Sequence, residues 1–239
     1  MKIMETFDDL QNGYYIIQKE KGFRFGIDAV LLSDFAKTAT GKVMDLCTGT
    51  GIIPLLLASK SRADHIDAVE IQPEMAEMAQ RSVRYNSLQD KINIKCLDLK
   101  DASKIYQKST YDCVTVNPPY MRTGSGLLNE TDGKTISRHE VKCTLEDVIK
   151  ASSELLKPHG KLFMVHRPSR LSDIFALMRE YKLEPKIMRL VAPLSGKEPN
   201  MVLVCGIKSA KSDLKIIPTL FVYNVDGSYT KEIDEIYGR

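Results

Sequence analysis

Residues 42–60 read KVMDLCTGTGIIPLLLASK. The mostly apolar run 42–47 suits a strand buried in a sheet, Gly49 and Gly51 make the turn that follows, and Pro54 fits the first turn of a helix over 54–60. One such unit settles little, but the pattern repeats. HIDAVEI (65–71) reads as the next strand, and PEMAEMAQRSVRYNSL (73–88) as a helix with Met75, Met78, Ala79 and Val83 on one face. INIKCLD (92–98) alternates as a strand, and DCVTV (112–116) is a fourth. Thr144 and Asp147 resemble a capping box opening a helix over 145–157, which Pro158 and Gly160 end. KLFMVH (161–166), EPKIMRLVA (184–192) and MVLVCGIK (201–208) complete seven strands, with a helix over 171–181 capped by Ser172. Upstream, YYIIQ (14–18) is a short strand, and Asp28 can cap a helix over 29–37. Repeated β-α units predict an α/β fold, a seven-stranded and mostly parallel sheet covered by helices on both faces. The last two strands lack a helix between them, which predicts a C-terminal hairpin with one antiparallel member. The tail offers a further strand, a turn at Asp226-Gly227 and a short helix capped by Thr230.

The composition supports one continuous domain. Of 239 residues 43% are hydrophobic, enough for a sizeable core, and 27% are charged, as in a soluble protein. A net charge of +3 is too small to argue for a polyanionic partner, so such a contact needs a local basic patch. The five cysteines (47, 96, 113, 143 and 205) show neither C-x-x-C nor Cys/His spacing, so no metal site and no disulfide framework is expected. Reduced thiols in a cytoplasmic protein are expected instead, with Cys96, Cys113 and Cys205 in apolar strand-like runs. The opening MKIMETFDDLQNG is too polar for a secretory signal, and AVLLSDFA is too short to span a bilayer.

Chemistry enters at the ends of the strands. In an open α/β sheet, ligands bind outside the carboxyl ends of the strands. Gly49 and Gly51 let the backbone approach a ligand there, and the helix behind them offers free N–H groups. Glu70 ends the second strand, where an acid can accept from two ribose hydroxyls, and Asp98 ends the third, where a carboxylate can meet an adenine amino group. A dinucleotide site would hold pyrophosphate on this turn with G-x-G-x-x-G, but the third glycine position is Pro54 and Asp45 stands before the turn. A carboxylate repels pyrophosphate and attracts the amino group of S-adenosylmethionine. The order Asp45, turn, Glu70, Asp98 therefore favours the methyl donor.

The fourth strand ends in YDCVTVNPPY (111–120), where two prolines without N–H groups stop the sheet and leave a rigid corner. DLCTGTG, VEI, LD and NPPY in this order resemble the Rossmann-like class I methyltransferases that use S-adenosylmethionine. GFRFGIDAVLLSDF (22–35) resembles the substrate-side opening segment of the subgroup carrying N-P-P-Y. VHRPSRLSDIFALMREYKLEPKIMRLVAP (165–193) is similar to the bacterial tRNA1(Val) (adenine-N6)-methyltransferases, which act on the purine just 3′ of the valine anticodon. The resemblance spans about residues 5–208. It implies a substrate-side extension over 1–40, a catalytic core over 41–208 and an appendage over 209–239.

The resemblance also implies roles. Phe25, Asp28, Asp45, Gly49, Gly51, Glu70, Asp98 and Asn117 would hold the donor. The Asn117 side-chain oxygen and the Pro118 carbonyl would accept hydrogen bonds from one NH₂ group, pulling that nitrogen toward pyramidal geometry so that its lone pair meets the methyl. Tyr120 would stack on the acceptor ring. Arg24, Arg122, Lys134, Arg138, Arg167, Arg170 and Lys197 are the candidate RNA contacts around the mouth, and 121–140 reads as a mobile lid. Neither His139 nor His166 is required by this chemistry. The product would be N6-methyladenosine in a tRNA anticodon loop, a tRNA-processing step with no metal and no membrane. Other acceptors compete on the same motif: a release-factor glutamine, a ribosomal RNA guanine-N2, a DNA adenine. A donor-binding module without catalysis is a reading from another class.

Overall fold

The computed structural model describes residues 5–20, 24–119 and 143–239. β1 (Glu5–Asp9) and β2 (Tyr15–Lys19) form an antiparallel pair, followed by α1 (Ile27–Phe35). Next come β3 (Thr40–Leu46), α2 (Ile52–Lys60), β4 (Arg62–Glu70), α3 (Pro73–Tyr85), β5 (Ile92–Cys96), α4 (Ala102–Ile105) and β6 (Tyr111–Val116). The chain continues through α5 (Leu145–Leu155), β7 (Leu156–His166), α6 (Leu171–Glu180), β8 (Leu183–Ala192), β9 (Met201–Lys208), β10 (Lys215–Phe221) and α7 (Lys231–Tyr237).

The main sheet has eight strands in the order β10-β8-β9-β7-β6-β3-β4-β5. Seven are those read from the sequence, and β10 from the tail adds to the edge, parallel to β8. β9 runs antiparallel to both β7 and β8, as the missing helix required. The order turns back between β3 and β6, since β4 and β5 lie on one side of β3 while β6 and β7 lie on the other. Such a reversal opens a crevice at the carboxyl ends of the two strands.

Successive residues of the central strands face opposite layers, and both layers are apolar. Val43, Cys113, Phe163 and Leu203 pack with α1, α2, α3 and α7, while Met44, Val114, Leu162 and Val204 pack with α4, α5 and α6. This double burial is why the strands read as nearly unbroken apolar runs. Phe35 of α1 meets Phe163 edge to face, centroids 5.9 Å apart, and ties α1 to the middle of the sheet.

Several boundaries differ from the sequence reading for local reasons. α1 begins at Ile27 with Gly26 as its cap residue, so Asp28 lies in the first turn. α3 stops at Tyr85 because Ser87 adopts a left-handed φ of 56°. α5 ends at Leu155, where Leu156 turns extended to open β7. α6 begins at Leu171 behind a short 3₁₀ turn, so Ser172 is not its cap. β1 was not foreseen. Its ETFDD sequence is polar, and it is held by Arg81, which bonds both carboxylate oxygens of Glu5 at 2.6 and 2.7 Å. All five cysteines are free; Cys113 and Cys205 are buried, but Cys96 is exposed on edge strand β5 rather than in the core. No helix among the described residues is long and apolar enough to cross a membrane, and no group of His, Cys, Asp or Glu among them could hold a metal ion.

The capping box at α5 is present: Thr144 Oγ1 accepts from the Asp147 N–H at 3.1 Å, and Asp147 Oδ2 accepts from the Thr144 N–H at 2.9 Å. Thr144→Ala removes one half of this exchange. It should cost about 1 kcal/mol and lower the melting temperature by roughly 2–4 °C, measured by calorimetry or circular dichroism.

Candidate active site

Asp45 and Asn117 flank the crevice. β3 and β6 pair in parallel with Asp45 opposite Thr115, so Asn117, the residue after β6, stands at the mouth of the same crevice. Asp45 is fully buried. Its Oδ1 accepts from Thr115 Oγ1 at 2.6 Å, while among the described residues neither its Oδ2 nor the nearby Thr48 hydroxyl has a hydrogen-bond partner. Burial pushes the Asp45 carboxyl up to about 7 and the Glu70 charge adds to this, although the Thr115 hydroxyl, and the Thr48 hydroxyl that stands close by outside hydrogen-bond geometry, work in the other direction. An unsatisfied buried oxygen of this kind costs on the order of 1–3 kcal/mol. A cationic amine delivered to it would remove that cost, so the site fits the ammonium group of S-adenosylmethionine.

The glycine turn follows β3 on left-handed backbone. Cys47, Gly49 and Gly51 all take left-handed φ values, 58°, 57° and 88°. At Gly51 a Cβ would also come within 3.1 Å of the Ala79 Cβ on α3, so the helix packing as well as the backbone asks for glycine. Glu70, the last residue of β4, holds the turn in place: its two carboxylate oxygens accept the N–H groups of Gly49 and Gln72, each at 2.9 Å. A carboxylate has about four acceptor positions, which leaves capacity for the hydroxyls expected there. Asp98 lies two residues beyond β5, where it caps a short 3₁₀ turn by accepting from the Lys100 N–H at 3.0 Å.

At the acceptor side, Asn117 Nδ2 donates to Asp28 Oδ2 at 3.1 Å. Pro118 is buried and Pro119 exposed, so the corner is anchored on one face. Phe25 donates its backbone N–H to Gln18 Oε1 at 3.0 Å, and it lines a cavity of about 190 Å³ between α1, α2 and α7. Arg24 is paired with Asp8 at 2.6 Å and Arg170 with Asp173 at 2.7 Å; exposed pairs of this kind contribute little and exchange readily for phosphate. Arg167 donates to the Asn200 carbonyl at 3.4 Å, and Lys197 is exposed between β8 and β9. Arg167 and Arg170 follow β7 and Lys197 joins β8 to β9, so these three stand at the carboxyl edge, while Arg24 is tied to β1 through Asp8. Tyr120, Arg122, Lys134, Arg138, His139 and the expected lid lie outside the described residues. His166 is buried at the end of β7, where desolvation, with Arg170 nearby, presses it down to about 4.

The sequence reading missed Thr115, the hydroxyl that holds Asp45. Its signal was available, since a threonine in the apolar run VTV needs a partner when both faces of the strand are covered. It also missed the role of Gln72, whose backbone completes the Glu70 anchor.

The raised Asp45 carboxyl makes a stability prediction. The folded state binds an extra proton between the unfolded value of 3.8 and about 7, so this group removes stability as pH rises through that window, by about 1.4 kcal/mol per pH unit. His166, depressed from 6.5 to about 4, has the opposite slope over its own range. The difference between wild type and Asp45→Asn therefore isolates the carboxyl. The variant without donor should gain stability relative to wild type from pH 5 to pH 8, while its affinity for the donor falls by tenfold or more, about 1.4 kcal/mol; parallel thermal melts and donor titrations check both.

Residues 26–181 match the family described as methyltransferase small domain. Among curated relatives, the chain is 30% identical to the tRNA1(Val) (adenine(37)-N6)-methyltransferase of Aeromonas salmonicida, covering 80% of this chain and 79% of that protein. It is 31% identical to the protein of that name in Porphyromonas gingivalis, over 87% and 85% of the two. A solved structure described as a predicted O-methyltransferase from Agrobacterium tumefaciens shares the fold with a TM-score of 0.70 at 22% identity, covering 88% of this chain and 95% of that one. The donor crevice, the family match and these relatives agree, and the chain belongs to the methyltransferase small-domain family, with S-adenosylmethionine as its methyl donor.

Proposed function

We propose that this enzyme methylates the N6 amine of an adenine in tRNA, at the purine just 3′ of the anticodon of a valine tRNA. The observation that carries this reading is the position of Asn117, an amide fixed by a buried proline at the end of β6, one strand from the Asp45 crevice. The two relatives, tRNA1(Val) (adenine(37)-N6)-methyltransferases by name, suggest the acceptor.

S-adenosylmethionine supplies an electrophilic methyl group on a sulfonium. The protein's own task is to present a poor nucleophile. The lone pair of an exocyclic amine is delocalised into the ring, and two acceptors on its hydrogens, Asn117 Oδ1 and the Pro118 carbonyl, favour the pyramidal nitrogen that can attack. No strong base is needed, because the proton becomes acidic only as the C–N bond forms. Orientation of this kind can supply ~7–11 kcal/mol in favourable model reactions. An anticodon-loop adenine is largely unpaired already, so extruding it costs less than opening a duplex. Arg167, Arg170 and Lys197, in the loops after β7 and β8, are the groups that would take the phosphates of an approaching loop, with Arg24 a further candidate.

The test is to incubate the protein with methyl-labelled donor and unmodified tRNA, then digest to nucleosides. Label in N6-methyladenosine is the expected result, with Asn117→Ala reducing turnover by at least about 10²-fold, the scale of one lost transition-state hydrogen bond. Label in a release-factor glutamine, with none in RNA, would overturn the acceptor.

A further inference from the structure

Asn117 can serve as an acceptor only if its amide faces the right way. A carboxamide has an acceptor end and a donor end of nearly the same shape, and the two are exchanged by a half-turn about one bond. With the donor end toward an incoming NH₂, hydrogen would face hydrogen and the mechanism above would fail. Something must hold the amide in one of its two states.

We infer that Asp28 is that positioning residue: it pins the Asn117 amide so that Oδ1, and not Nδ2, faces the acceptor nitrogen. Asp28 Oδ2 accepts from Asn117 Nδ2 at 3.1 Å, across 89 positions of sequence. A carboxylate offers acceptors only, so the amide must turn its NH₂ toward it, and the two ends of the amide point to opposite sides. Asp28 is itself held. Its Oδ1 accepts the Ala29 N–H at 3.0 Å in the first turn of α1, and α1 is anchored by buried Ala29, Val30, Leu31 and Leu32. Gly26 completes the arrangement. A Cβ at that position would lie 2.7 Å from Asp28 Oδ1, so a side chain there would displace the carboxylate. In FRFGID (23–28), the glycine thus makes room for the acid, and the acid sets the amide.

Asp28 therefore acts through Asn117 on turnover and not as a ligand of the donor, the role that resemblance implies for it. The inference rests on the methyl-transfer reading of Asn117, but its structural half stands apart from the identity of the acceptor.

The polarity of the pair can be swapped. Asp28→Asn leaves one acceptor oxygen, which the Ala29 N–H holds at the Oδ1 position, so the new NH₂ end faces Asn117 and the Asn117 amide turns over to match it. Asn117→Asp sets two carboxylates face to face. Combining the two substitutions restores a single polarity: the amide now at position 28 donates to the carboxylate now at position 117, whose second oxygen accepts from the substrate amine. Each single variant should lose about 10²-fold in kcat, and the double should recover about tenfold or more over both. Donor Kd should stay within about twofold for Asp28→Asn, as for a group that binds no donor. Gly26→Ala should lower kcat without changing donor Kd, because it acts only by moving Asp28. A double variant no better than the worse single variant, or Asp28→Asn with kcat near wild type, would overturn the inference. Nitrogen-15 NMR of the Asn117 side-chain amide in the unliganded protein gives a reading without any acceptor. The Nδ2 protons should show hydrogen-bond protection that is lost in Asp28→Asn; equal exchange in both proteins would overturn the inference even if tRNA proved to be the wrong substrate. If wild type does methylate tRNA while the swap fails, only this inference falls.

Discussion

A carboxylate buried in the centre of a sheet is costly, and Asp45 is one. Its cost is only partly offset, since Thr115 satisfies one oxygen and no described residue satisfies the other. The surrounding structure depends on that imbalance being kept. The chain order reverses between neighbouring β3 and β6, and this puts the acid near the carboxyl ends of the two strands that border the reversal. Glu70 clamps the turn that follows Asp45, and that turn runs through three left-handed residues. A neutral residue at position 45 would fold as well or better. The site holds a buried acid whose ionised form needs a cation beside it.

A second carboxylate divides the labour. Asp45 stands on β3 and Asp28 on α1, and in the reading proposed above the first serves the donor and the second the acceptor. Their environments differ accordingly. Asp45 is sealed in the sheet with an open valence, whereas Asp28 is partly buried with bonds to Ala29 and Asn117. Transfer requires both halves to be rigid relative to one another, and the contact of Phe35 with Phe163 fastens α1 to the same sheet that carries β3 and β6. The buried Pro118 does the same for the corner from the other side.

Much of this was legible in the sequence, for identifiable reasons. β3, β6, β7 and β9 in the middle of the sheet are covered on both faces, so their apolar runs are nearly unbroken and hard to misread, while edge strand β5 shows itself by alternation. Asp45 and Glu70 were legible because a strand end fixes where a side chain stands. Helix ends were less so, as the left-handed Ser87 shows, since a serine carries no strong signal for that conformation. β1 was hidden because its sequence is polar and its hold comes from the backbone ladder to β2, the Glu5–Arg81 ion pair and the contact of Phe7 with Tyr85, none of which makes an apolar periodicity. The hydrogen bond between Asp28 and Asn117 could not be read at all. It joins residues far apart in the chain, and Asp28 has an adequate local explanation as a helix-capping acid.

The most direct test of the account is the proton balance of donor binding. At pH 6 the Asp45 carboxyl is mostly protonated in the free protein, and it must ionise to meet the donor's ammonium group. Isothermal titration calorimetry at pH 6, repeated in buffers of different ionisation enthalpy, counts the protons exchanged. Release of close to one proton per donor bound, absent in Asp45→Asn, is the expected result. Binding of equal affinity with no proton released would contradict the central role of a buried, half-satisfied acid.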